Sequence, residues 1–90
     1  MEERYEAGAG DAEPSGRELS ARDVAVLEIA ARTWSGPGPR ERAVRERLGI
    51  SPAAYFQLLN ALLDDPRALR HDPVTVNRLR AVRERHRASR

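Results

Sequence analysis

From Leu19 onward the apolar residues recur at helical spacing, and no stretch alternates in the two-residue period of a strand. Ser20 and Asp23 form an S-x-x-D capping pattern, and Leu19 and Val24 occupy the two positions of a hydrophobic staple. A first helix is therefore predicted, with Val24, Leu27, Ala31 and Trp34 as its apolar stripe and Gly36-Pro37-Gly38-Pro39 as its stop. Pro39 is expected to open a second helix, with Ala43, Val44 and Leu48 inward and Arg42 and Arg45 outward. Glu41–Arg45 and Arg42–Glu46 are spaced as i,i+4 ion pairs within it. A third helix is predicted from about Pro52 to Leu63, with Tyr55, Leu58, Leu59 and Leu62 buried and Ile50 stapled against Tyr55. Asp65-Pro66 and Asp72-Pro73 then start a short turn at Pro66–Leu69 and a fourth helix near Pro73, whose apolar edge is Val76, Leu79 and Val82.

The link between the second and third helices, Leu48-Gly49-Ile50-Ser51, is too short for anything but a fixed corner. Gly49 suits the left-handed backbone that ends a helix, Ser51 can cap the next one, and Pro52 fits its first turn. The expected fold is all-α: a small domain of three core helices with a helix-turn-helix-like corner, plus a basic fourth helix. Its bounds are residues 19–83, preceded by a disordered acidic tail at 1–18 and followed by a basic C-terminus at 84–90 that is expected to fray. About 70 residues lie near the lower limit for a self-sufficient core, so homodimerisation or a partner would help it.

Charge sharpens this picture. The net charge is only +2, yet residues 1–18 hold six acids against Arg4 and Arg17, whereas residues 40–90 hold twelve arginines against six acids. The two ends should attract, so the tail could mask a basic rim. Every basic residue is Arg and none is Lys. Arginine suits bidentate phosphate contacts, although a GC-rich genome is the simpler explanation. The chain has no cysteine, no apolar run of membrane-spanning length and no apolar h-region at its start, and a cytoplasmic protein is the resulting expectation.

The exposed side of the third helix carries Ala53, Phe56, Gln57 and Asn60, with Ala61 beside them. Gln57 and Asn60 lie three apart, both amides can bond an adenine edge bidentately, and alanine can meet a thymine methyl. These four are the candidate base contacts. No Arg or Lys stands on that helix, and Asp64 and Asp65 at its end would repel phosphate. Phosphate contacts would have to come from Arg42 and Arg45 on the second helix and from the row Arg80, Arg83, Arg87, Arg90 on the fourth. The same residues read equally as solvated faces. Trp34 and Tyr55 fall on core stripes, whereas Phe56 flanks one and is expected to be half exposed. His71 and His86 are isolated, no metal-ligand spacing occurs, and no nucleophile has a base beside it, so neither an enzyme nor a metal or cofactor is expected.

The segments LSARD at 19–23, Trp34, LGIS at 48–51, YFQLLNALLDDP at 55–66 and RLR at 78–80 together resemble the small actinobacterial proteins grouped as domain of unknown function family 3263. The resemblance covers nearly everything after the tail. It implies a helical, helix-turn-helix-like fold and no assigned activity. Members often carry Arg where this chain has Ala54 and a second aromatic where it has Thr33, so a cation of the third helix is missing here. A DNA-binding or transcription-associated protein is the first functional expectation. The alternative is a protein-interaction adaptor without nucleic-acid binding, docking a partner on the face of Phe56, Gln57 and Asn60.

Overall fold

The computed structural model describes residues 18–88, and the acidic segment read from the sequence lies outside the described residues apart from Glu18. Among the described residues five helices follow one another: α1 (Ala21–Ala31), α2 (Pro37–Leu48), α3 (Pro52–Leu63), α4 (Pro66–His71) and α5 (Pro73–Ala88). The described residues contain no strand, and the domain is all-α.

Local signals start these helices much as their side chains dictate. The Ser20 hydroxyl accepts from the Asp23 amide at 3.0 Å, and the Ser51 hydroxyl accepts from the Ala54 amide at 3.1 Å. Asp65 and Asp72 accept from the amides of Arg67 and Thr75 at 2.8 and 3.1 Å. Each satisfies a donor that the first turn leaves free. α2 is the exception: Gly36 gives it no side-chain cap, and Pro37 rather than Pro39 begins it. Pro39 still lies in the first turn, where a missing N–H costs nothing. Between α2 and α3, Gly49 takes φ 67° and its amide donates to the Arg45 carbonyl, turning the chain within three residues.

α1 crosses α2 and α3, and α5 closes the same core from the C-terminal side. Val26, Leu27, Ile29, Val44, Tyr55, Leu59, Leu62, Leu63, Ala68 and Val76 form that core, with Trp34, Leu58, Leu69 and Leu79 packed on its margin. The α3 stripe matches expectation, Tyr55, Leu59 and Leu62 being buried and Leu58 half-buried. The α1 stripe does not. Ala25, Val26, Leu27 and Ile29 are buried, Val24 is half-buried and Ala31 is exposed, which turns the buried arc by about a third of a turn. The reason is tertiary: α1 touches α2, α3 and α5 together and so buries a wide arc centred on Val26 instead of a narrow stripe. Trp34 falls beyond the helix, where its indole N–H donates at 2.9 Å to the Ile29 carbonyl, which also accepts from the Arg32 amide at 3.3 Å, and the Arg32 guanidinium stacks 4.4 Å from the Trp34 ring centroid.

Two further elements differ from expectation. The turn at Pro66 continues to His71 as a six-residue helix, because Asp65 caps it and Ala68 is fully buried beneath it. The spaced pairs Glu41–Arg45 and Arg42–Glu46 do not form. Instead Arg47 reaches across to Glu28 of α1 at 2.9 Å. α5 remains helical through Ala88, with residues 84–88 exposed; Arg90 of the basic row lies outside the described residues.

Candidate functional site

The three-residue corner at Gly49–Ser51 presents α3 with one flank on the core and the other in solvent. At 100° per residue, Leu63, Phe56 and Asn60 lie along one edge of the outer face, while Ala53, Gln57 and Ala61 lie along the other. The α5 side of the domain meets the first edge: Phe56, Leu59, Asn60 and Leu63 line a groove of about 290 Å³ together with Leu79, Val82, Arg83 and His86 of α5. The second edge is bare, with Ala53, Gln57 and Ala61 exposed.

The expected site residues therefore divide between the two edges. Asn60 is committed to α5, its Oδ1 accepting from Arg83 Nη1 at 2.8 Å. Bidentate bonding of adenine needs that oxygen together with the amide nitrogen, so Asn60 is unsuited to it in this arrangement. Arg83 also grips Asp64, donating from Nη2 to Oδ1 at 2.8 Å and from Nη1 to Oδ2 at 3.3 Å. Its Nε is buried without an acceptor. Arg80 donates through Nε to the Leu63 carbonyl, one of the groups that the end of α3 leaves free. Arg83 and Arg80 thus clamp α5 to the C-terminal end of α3 rather than project as free cations. Arg87 is exposed and lies 3.8 Å from Glu84 on its own helix. On α2, Arg42 and Arg45 are exposed and make no ion pair among the described residues.

The clamp also pairs the charge at the end of α3. The hydrogen bond from Arg83 holds the Asp64 carboxyl below the ordinary aspartate range, and the same bond raises the Arg83 guanidinium. Asp65 is lowered likewise by Arg67, whose Nη2 lies 2.7 Å from Oδ2. Both acids that would oppose phosphate at this end of the helix thus stay ionised, each with its charge offset by an adjacent guanidinium group.

Phe56 is 43% exposed and stands edge-on to Tyr55, with ring centroids 5.0 Å apart and an interplanar angle of 68°. The Arg40 guanidinium lies 5.0 Å from its ring centroid. That contact was legible in outline, since Arg40 stands four residues before the buried Val44 and so on the same side of α2. Arg78, which donates to the Ala30 carbonyl at 3.1 Å and ties α5 to the end of α1, gave no such signal. No group of three His, Cys, Asp or Glu among the described residues is arranged to hold a metal ion, and no described helix is long and apolar enough to cross a membrane.

The chain belongs to a family described as protein of unknown function (DUF3263), whose model matches residues 18–90. No curated protein matches the chain, and no solved structure does.

Proposed function

We propose that this domain is a small DNA-binding, transcription-associated module, in which the corner at Gly49–Ser51 acts as a helix-turn-helix and α3 is the reading helix. The observation that carries the reading is the bare edge of α3. Ala53, Gln57 and Ala61 are exposed beside one another, Gln57 makes no hydrogen bond among the described residues, and the acids at the helix end are offset by guanidinium groups. Gln57 supplies the bidentate amide for a base edge, and Ala53 and Ala61 supply methyl contacts. Arg42 and Arg45 of α2 supply phosphate contacts, being exposed and unpaired. Arg83 holds the scaffold.

The test is a salt titration of the full chain on random duplex DNA, followed by selection of a site from a random library. Replacing Arg42 and Arg45 by Ala should flatten the dependence of log affinity on log salt by about 0.9 per residue on B-form DNA. Gln57→Ala should lose roughly 1–3 kcal/mol on the selected site and leave random-duplex binding nearly unchanged. A chain that binds no duplex at low salt and enriches no sequence is not a DNA-binding module.

A further inference from the structure

The edge of α3 that faces α5 has a use that reading DNA leaves unassigned. Phe56, Leu59 and Leu79 line both the groove toward His86, here called the trough, and a second hollow beside it that is lined by Trp34 and Arg40. Its floor is apolar: Leu59 and Leu63 lie beneath, and Phe56, Leu79 and Val82 are left partly uncovered. Between α3 and α5 its walls run from Phe56 to Leu63 and from Leu79 to His86. Seven residues of helix on each wall rise about 10 Å, the span of anchors at i, i+3 or i+4, and i+7 on a docked helix. Its surroundings are basic. α5 carries Arg78, Arg80, Arg85 and Arg87 against Glu84 alone once Arg83 is set against its partner Asp64, and Arg40 stands over Phe56.

We propose that this trough is a docking site for one amphipathic α-helix of a partner protein, with apolar anchors on one face and acidic residues flanking them. Charge complementarity selects this occupant over the alternatives. A second copy of the chain seated symmetrically would bring two arginine-rich α5 helices together, which like-charge repulsion opposes. Residues 1–17 of this chain are acidic but contain no Leu, Ile, Val or Phe to fill the floor. The trough does not include Gln57, which lies about 100° round α3 from Phe56, so separate variants test the proposal independently of DNA binding.

The probe is a designed 16-residue helical peptide with leucines at i, i+3, i+4 and i+7 and glutamates elsewhere, titrated into the isotopically labelled full chain and followed by amide chemical shifts. A control peptide keeps the leucines and replaces the glutamates by lysines. The glutamate peptide should give saturable shifts centred on Phe56, Leu79 and Val82, and the lysine peptide should bind about tenfold more weakly or less. Val82→Ser and Phe56→Ser should each weaken the glutamate peptide about tenfold, as loss of an anchor pocket does. Val82→Ser alters a half-buried margin and keeps the test open if Phe56→Ser unfolds. Gln57→Ala should leave peptide binding unchanged, and Val82→Ser should leave duplex binding unchanged, so loss of one activity is distinguishable from loss of the other. Shifts elsewhere, no saturable shift, or equal binding of both peptides overturns the proposal. A concentration-dependent dimer that Val82→Ser abolishes overturns it in favour of a second copy.

Discussion

Leucine-to-alanine replacement at two depths of the same core tests the packing that presents α3. Leu27 on α1 is 1% exposed and enclosed by neighbouring helices, whereas Leu59 on α3 is 8% exposed and borders the trough beside Phe56 and Leu79. Each change removes three carbons, worth about 2.4 kcal/mol at roughly 0.8 kcal/mol per buried methylene. At Leu27 the surroundings cannot collapse, so a cavity penalty adds to the transfer loss and the total should reach about 3–5 kcal/mol. At Leu59 the space opens toward solvent and Phe56 can lean into it, so the total should stay near about 2–3 kcal/mol. A domain of this size is stable by about 4–10 kcal/mol. Leu27→Ala should therefore leave the domain close to unfolding, whereas Leu59→Ala should remain folded with its midpoint about 10–20 °C lower. Guanidinium melts followed by far-ultraviolet circular dichroism, with the denaturant slope held as the check on two-state behaviour, give both numbers. If both variants melt within about 0.5 kcal/mol of wild type, or if Leu59→Ala costs more than Leu27→Ala, the assigned helix phases are wrong.

Four further outcomes follow from the geometry. Gly49→Ala should cost about 1–2 kcal/mol, because φ 67° strains an L-residue even though its Cβ would meet nothing within 4 Å, and Gly49→Asn should cost less; urea midpoints decide. Ser51→Ala should cost about 1 kcal/mol by leaving the Ala54 amide without its acceptor, whereas Ser51→Asp should retain the cap. Asp64, Asp65 and Asp72 are all lowered in the folded state, so their contribution is present above the ordinary aspartate value of 3.8 and is lost as pH falls through and below it; thermal melts between pH 7 and pH 2 should show stability declining over that acid range. Arg83→Ala should leave the salt slope of duplex binding close to that of wild type, because Arg83 is held by Asp64 and Asn60, while amide exchange at the α3–α5 junction should accelerate. A slope flattened as much as by Arg42→Ala would show that Arg83 contacts phosphate instead.

The all-α class, the corner and most helix starts were written in local chemistry. Ser20, Ser51, Asp65 and Asp72 cap the amides within three residues of themselves, and Gly49 takes a left-handed conformation that glycine, unlike residues with a Cβ, adopts without strain, so neighbours in sequence suffice to specify them. The inward stripe of α3 was legible for a similar reason, since a helix with one wet side announces its period. α1 hid its face because three helices cover it at once, and a wide buried arc leaves no clean period to read. The arginines show the same limit more sharply. Arg42, Arg45, Arg80 and Arg83 look alike along the chain, and spacing alone places Arg80 and Arg83 in one basic row. Only the docking of α5 against the end of α3 brings the Leu63 carbonyl to Arg80 and the Asn60 and Asp64 oxygens to Arg83, while Arg42 and Arg45 of α2 stay unpaired among the described residues. Whether a guanidinium is a clamp or a free cation depends on acceptors 17 to 23 residues away in the chain, and a preference between side chains that distant exists only once the helices have packed.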